Sequence, residues 1–439
     1  MQTDGANQQQ QYAASIGFDW GDQQHAVALQ AAGADQVEAY TVKQTPESLH
    51  DWVLSLRTRF GGRDVIIAIE QSRGAVINVL LGYRFVHVLR VPPKSLARYR
   101  EAFYPSGAKD DIPDASLLLE WARDHRDKVK VWIPDKPEIR ALQKLTEFRR
   151  GTVGRRIAIT NMLTQSLKEY FPQALSWAGE LDTPMACDFL DKWPTLEKLQ
   201  KAKPAQIRKF YQEHGCRRTE VVQQRLEEIG SARPLTEDSA VISTSITVLE
   251  TLVPQLRCLI DAIDRIDAQI HKLFNKHEDR DIFDSFPGAG RVMAPRLLAA
   301  MGSDRNRYDT ALEVQQYSGI APVTERSGKS KWVHRRFACP KFFRQSFHEF
   351  AGLSIRYSSW ARAYYQMQIN KGKNHHAAVR ALAGPQMDPD HLSLLAKARP
   401  IQRGNLSGSA STQERASSGT VGTSCLGARL CIEKNSTKT

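Results

Sequence analysis

Three short apolar runs, each closed by turn-prone polar residues, stand near the start of the chain: ASIGFDW at 14–20, DVIIAIEQS at 64–72 and RFVHVLRV at 84–91. Each has strand length and predicts a buried strand. Between the first two, TPESLHDWVLSLRTRF at 45–60 reads as a helix, so the first ~130 residues alternate strand and helix and predict an α/β domain. From Lys136 to about Leu175 the pattern turns helical and basic, with Arg149, Arg150, Arg155 and Arg156 on a predicted solvent or nucleic-acid face. Residues 176–240 are polar, helix-prone and punctuated by proline. Then Leu249, Leu252, Leu256, Leu259, Ile263, Ile266, Ile270 and Leu273 follow one another at alternating spacings of 3 and 4. That seam has a period of 3.5 and predicts a coiled coil, with a helix packed inside a bundle as the alternative; Pro254 kinks the helix or marks its beginning.

A second compact region runs over 281–383, from SFPGAGRVMAPRLLAAMG through YSGIAPVTERSGKSKWVHRRF to a helix around 343–370. From Gly384 onward there is no aromatic residue but eight serines and six glycines. Such a tail lacks apolar mass to offset the entropy of ordering, so 384–439 is expected to be disordered, as is the Gln-rich stretch 1–13.

Composition narrows the function. The 439 residues are 41% hydrophobic and 25% charged, and the net charge of +13 points to a polyanionic partner. The six cysteines are scattered without a CxxC pair, which argues against structural zinc and a disulfide scaffold. No apolar stretch approaches the ~20 residues of a membrane span, and a cytoplasmic protein is expected.

Acidic residues supply the first candidate chemistry. Asp19 closes the first predicted strand and Glu70 the second, and strand ends of an α/β sheet are where side chains from neighbouring strands converge. In KDDIPDASLLLEWARDH, Asp111 and Asp114 stand at a helix start, three residues apart and able to face the same way. Four carboxylates in one pocket need cations; all-oxygen donors suit Mg²⁺ or Mn²⁺, and a pair of such ions clamps both oxygens of a phosphodiester displacement. Taken singly, these acids read equally as helix caps and turn residues. Their order and spacing are those of an RNase-H-like nuclease core. Asp110 and Asp135 rank lower.

The second candidate is a serine. Arg326 to Arg344 holds seven Lys/Arg and no acid, and Arg326, Lys329, Lys331, Arg335 and Arg336 form a predicted nucleic-acid surface in which Trp332 and Phe337 stack or pack. Ser327 sits among these cations, where a serine can attack a DNA phosphate; Ser318 in YSG competes for the role, and a Ser-Gly pair is by itself most often a turn. PGAG at 287–290 resembles a helix-hairpin-helix whose backbone N–H groups, at Gly288 and Gly290, hold a phosphate, or is a plain loop entering a helix. Arg84 to Arg100 adds five Lys/Arg without an acid just before the Asp111 helix. His375 and His376 read as exposed helix residues.

Together GFDW, AIEQS, KDDIPDA, FPGAG, QYSGIAPVTERSGKS and HHAAVRALA, in that order, resemble the DEDD transposases of insertion sequence family 110 and its 1111-type relatives over roughly 14–383. The resemblance implies an α/β RNase-H/RuvC-like domain at 14–175, whose Asp19, Glu70, Asp111 and Asp114 hold divalent metal. It implies a helical linker with a dimerising coiled coil at 176–280 and a mainly α-helical transposase domain at 281–383 with Ser327 as nucleophile. It further implies recombination of donor and target DNA by a homo-oligomer, dimer or tetramer, guided by an RNA from the element. The alternatives are a RuvC-like nuclease using the acids alone and a catalytically decayed nucleic-acid-binding protein.

Overall fold

The computed structural model describes residues 12–70, 74–103, 111–126, 129, 131–304, 307–308 and 310–384. The chain divides into two compact units, residues 1–135 and 136–439.

The first unit is a mixed five-stranded sheet with helices on it. Its elements are β1 (Ala14–Asp19), β2 (Gln24–Ala31), β3 (Glu38–Lys43), α1 (Pro46–Arg59), β4 (Val65–Ile69), α2 (Ala75–Leu80), β5 (Val86–Arg90), α3 (Pro93–Phe103) and α4 (Asp111–Asp124). The strand order is β3-β2-β1-β4-β5, antiparallel among the first three and parallel from β1 through β4 to β5. Alternation along each strand divides the core by face. Ile16, Phe18, Ile67 and Ile69 pack with Leu49, Trp52 and Val53 of α1 and with Val76 and Ile77 of α2. Ile66 and Ala68 pack instead with Leu117, Leu118 and Ala122 of α4. Thr45 caps α1, its hydroxyl accepting from Ser48 N, and Pro46 occupies the first turn where no N–H is needed.

Gly17 decides how closely α4 approaches the sheet. A Cβ there would lie 1.9 Å from Ala115 O and 2.3 Å from Leu119 N, so helix backbone rests directly on β1. Ala26, Ala28, Ala115 and Leu119 form the small-residue cluster that permits it.

The second unit is helical apart from one ribbon. It comprises α5 (Pro137–Tyr170), α6 (Ala174–Trp177), α7 (Pro184–Lys192), α8 (Leu196–Gln200), α9 (Pro204–Glu213), α10 (Thr219–Ser231), α11 (Ser239–Phe274), α12 (Arg280–Asp284), α13 (Gly290–Met301), α14 (Ala311–Tyr317), β6 (Val323–Ser327), β7 (Ser330–His334), α15 (Lys341–Tyr357), α16 (Ser359–Asn370) and α17 (His375–Ala383). The apolar seam of the sequence lies on α11, which runs unbroken through Pro254 from a start 15 residues earlier, capped by Asp238. Ile139 and Leu142 near the start of α5 pack with Ile266, Ile270 and Phe274 near the end of α11, while Leu163 and Leu167 pack with Leu249 to Ile260. The two long helices are therefore antiparallel partners, joined midway by Arg149 and Asp267. Ile260 and Phe274 are buried where the 3.5 repeat expected Leu259 and Leu273, because a straight helix drifts off a heptad seam.

Arg296 of α13, only 7% exposed, is held by Ser346 Oγ at 3.0 Å and by Glu349 of α15, which also takes Arg150 of α5 at 3.0 Å. Three helices share that charge network. No described helix is long and apolar enough to cross a membrane.

Candidate active site

Asp19, Glu70 and Asp114 lie toward the same end of the sheet. Phe18 on β1 pairs with Ile69 on β4, so Asp19 and Glu70 are the next residues of two adjacent parallel strands. Asp19 is two residues beyond Gly17, and Glu70 two beyond Ala68; both Gly17 and Ala68 face α4. Period-two alternation therefore aims Asp19 and Glu70 toward α4. Asp114 lies in the first turn of that helix, one residue before the Ala115 carbonyl that touches Gly17. Strand ends and helix start thus converge.

The environments differ. Asp19 and Glu70 are half-buried, whereas Asp114 is 6% exposed. A buried carboxylate needs a partner, and Arg100 of α3 provides one, its guanidinium donating to Asp114 Oδ1 at 2.5 Å. Arg100 Nε is itself buried without a hydrogen-bond partner among the described residues. The fold thus brings a fixed positive charge to the acidic edge. Asp111 is the first residue of α4, but its side chain lies outside the described residues, as does Asp110.

A residue that sequence reasoning missed braces this edge. His25 is fully buried, accepts at Nδ1 from Gly21 N at 3.2 Å and bonds through Nε2 to Gln44 Oε1. An acceptor Nδ1 leaves the proton on Nε2, which donates to Gln44. Burial pushes the His25 pKa down, so the neutral ring persists and ties the turn after Asp19 to the sheet. GFDWGDQQH carries the hint only as a histidine just past a strand-end acid.

In kind, oxygen donors from Asp19, Glu70 and Asp114 suit a hard divalent cation. Among the described residues no three His, Cys, Asp or Glu side chains are grouped tightly enough to hold an ion. Arg100 is the charge a cation would compete with for Asp114.

The serine motif forms a two-stranded antiparallel ribbon. Ser327 ends β6 and pairs with Ser330, the first residue of β7. Gly328 and Lys329 make the two-residue turn, with Gly328 at φ +56°, the left-handed conformation that glycine adopts without strain. Ser327 is exposed. Arg326, Lys331 and Lys329 surround it, Arg335 follows β7 and lies over the Phe337 ring at 5.7 Å, and Arg336 Nε donates to Ala321 O at 3.3 Å.

Ser318 is placed otherwise. It is fully buried, its hydroxyl donating to Gln315 O at 3.1 Å, and it ends α14. Gly319 follows at φ +72°, where a Cβ would meet Cys339 Sγ at 2.3 Å. YSG is thus a packed helix terminus.

The glycines of PGAG divide the same way. Gly288, at φ +84°, lies where a Cβ would be 3.2 Å from the Leu353 carbonyl of α15, so packing demands glycine there. Gly290, at φ +52°, opens α13, with no atom within 4 Å of an added Cβ.

Comparison with known proteins identifies the class as a DEDD transposase, an enzyme that cuts and rejoins DNA. Residues 16–172 match the DEDD transposase model named for IS110, and residues 280–366 match the transposase model of the IS116/IS110/IS902 family. The chain belongs to the IS110 family of insertion-sequence transposases. It is similar to the "Mini-circle putative transposase for IS117" of Streptomyces coelicolor, 29% identical over 386 residues, spanning 83% of this chain and 90% of that protein. It is also similar to the IS900 42 kDa protein of Mycobacterium paratuberculosis, 25% identical over 380 residues, 84% and 92% of the two chains. The IS110 43.6 kDa protein of Streptomyces coelicolor is 26% identical over 339 residues, 75% and 80% of the two chains.

Proposed function

We propose that this transposase cuts and rejoins DNA with two sets of groups: Asp19, Glu70, Asp111 and Asp114 in a RuvC-like domain over 14–175, and Ser327 in a transposase domain over 281–383. The supporting observation is the contrast between the two serines, Ser327 exposed among cations and Ser318 buried in a helix cap. A nucleophile that forms a bond to a DNA phosphate has to be reached by it. The Ser327 Oγ gives up its proton and attacks phosphorus; an Oγ–P bond forms, one P–O bond to a sugar breaks, and the departing sugar oxygen takes up a proton in exchange. Rejoining runs the step in reverse with a hydroxyl from the other DNA end, which frees the serine. Arg326, Lys329, Lys331, Arg335 and Arg336 hold the phosphates around it, with the N–H groups at Gly288 and Gly290 as a second phosphate contact.

The four carboxylates are the residues to hold Mg²⁺ or Mn²⁺, which when bound neutralises charge at the phosphate. Arg100 holds the Asp114 carboxylate in place meanwhile. The net charge of +13 fits donor DNA, target DNA and a guide RNA from the element as partners in the cytoplasm. The coiled-coil element of this reading is the seam of α11, within the linker 176–280, and the active form is a dimer or tetramer that brings acids and serine of different subunits to one phosphodiester.

The test is recombination of a donor plasmid with the element's RNA and Mg²⁺, with trapped protein–DNA adduct resolved on a denaturing gel. Ser327→Ala is expected to lose adduct and product, and Asp19→Ala to lose cleavage. Cleavage that survives in Ser327→Ala identifies a nuclease using the acids alone.

A further inference from the structure

The ribbon carrying Ser327 has two unlike faces. In its register Val323, Glu325 and Ser327 oppose His334, Trp332 and Ser330. Directly opposed residues of an antiparallel pair project to the same side, so these six side chains share one face. Thr324, Arg326, Lys331 and Val333 occupy the other. Trp332 is therefore the diagonal neighbour of Ser327 on the serine's own face, about 7–8 Å along the ribbon.

Trp332 is 64% exposed although indole is among the costliest side chains to leave in water. The His334 ring packs against it at 4.7 Å between centroids, tilted 37°, and His334 is fixed in turn by Glu325 at 2.8 Å and by the Arg335 carbonyl at 3.0 Å. The indole is thus a braced platform rather than a loose side chain. Lys329 stands in the turn beside this face, Arg326 and Lys331 stand on the other face of the ribbon, and the single acid of the ribbon, Glu325, is engaged by His334. A flat aromatic surface on one face of a basic ribbon matches a nucleobase on a phosphate backbone. It does not match a second copy of the same basic surface, which it would repel.

We infer that Trp332, braced by His334, stacks an unpaired base of the DNA strand under attack and so sets the neighbouring phosphate against Ser327. This rests on the reading of Ser327 as nucleophile and adds a positioning residue to it. Stacking is tolerant of base identity, so the ledge selects for an unstacked base rather than for a sequence. The strand must be opened at that point before Ser327 can act.

The test uses the full chain in a Ser327→Ala background, which binds without forming an adduct. It needs two fluorescein-labelled probes of equal length: a mixed-sequence single-stranded oligodeoxynucleotide, and a strand built of abasic sites that keeps the charge and removes the bases. Trp332→Ala is expected to weaken binding of the first about tenfold and of the second not at all, with Trp332→Phe restoring most of the loss. Equal loss on both probes, or no loss on either, overturns the inference. So does a drop in oligomer mass by light scattering with oligonucleotide binding unchanged, which assigns the surface to a second copy. A covalent adduct that persists in Ser327→Ala refutes the nucleophile on a separate gel, while the paired probes still decide the ledge.

Discussion

The acidic edge and the serine ribbon stand on opposite kinds of support. Asp19, Glu70 and Asp114 project from a buried sheet and from a helix pressed so tightly on it that Gly17 has no room for a methyl group. Ser327 projects from a two-stranded ribbon whose central residues are exposed on both faces and which an isolated hairpin's own energetics barely hold. Carboxylates crowded together repel, so their positions have to be enforced by packing that the protein supplies in advance. A serine hydroxyl carries no charge to hold down, and on the proposed reading its surroundings are completed by the nucleic acid. Disturbing the sheet edge therefore damages stability and chemistry together, whereas disturbing the ribbon damages function alone.

The largest effects are expected at the proposed reacting groups. Asp19→Ala and Ser327→Ala are each expected to lower strand cleavage by at least about a thousandfold, measured as product per unit time, but only Asp19→Ala should also shift the melting temperature. Equal shifts in both erase the contrast. Glu349→Ala leaves the buried Arg296 without its carboxylate and should cost about 3 kcal/mol in denaturant unfolding of the second unit. Gly17→Ala forces α4 away from β1 at about 2–3 kcal/mol, and should weaken cleavage by displacing Asp114. Gly328→Ala, at a positive φ with open space around it, should cost only about 1 kcal/mol. Trp332→Ala should leave stability within about 0.5 kcal/mol.

A pH titration sharpens the picture for the helical unit. His348 on α15 faces His376 at 3.3 Å. Burial first, then the positive charges of His376, Arg380 and His375, push its pKa down to about 4, against the opposing pull of Glu349. The unfolded chain binds a proton at about 6.5, so this group leaves stability unaffected above that value and lowers it as pH falls from about 6.5 toward 4. After allowance for solvent screening the loss is about 1–2 kcal/mol. His348→Gln should flatten that part of the stability profile.

Several elements were legible before any coordinates. The apolar runs at 14–20, 64–72 and 84–91 became β1, β4 and β5, and Thr45 with Pro46 marked the start of α1. The strands β2 and β3 were not singled out; β3 is an edge strand with Val42 alone buried, and an element with so little burial leaves little pattern. The expected helix around 343–370 is two helices, because Ser358 leaves the helical region and caps α16. The heptad spacing announced the later part of α11 but neither its start at Ser239 nor that α5 would cover it.

The acids and serines show the same division. The sequence by itself determined which carboxylates end strands and begin a helix, because hydrophobic runs and their polar punctuation are local properties. It also determined that Ser327 lies in a basic stretch beside a turn. Tertiary structure decided the rest: that Arg100 neutralises Asp114, that His25 braces the turn after Asp19, that Gly17 admits α4, and that Ser318 is buried while Ser327 is exposed. Each of these depends on a partner far along the chain, and burial is fixed only when the whole core closes over a residue.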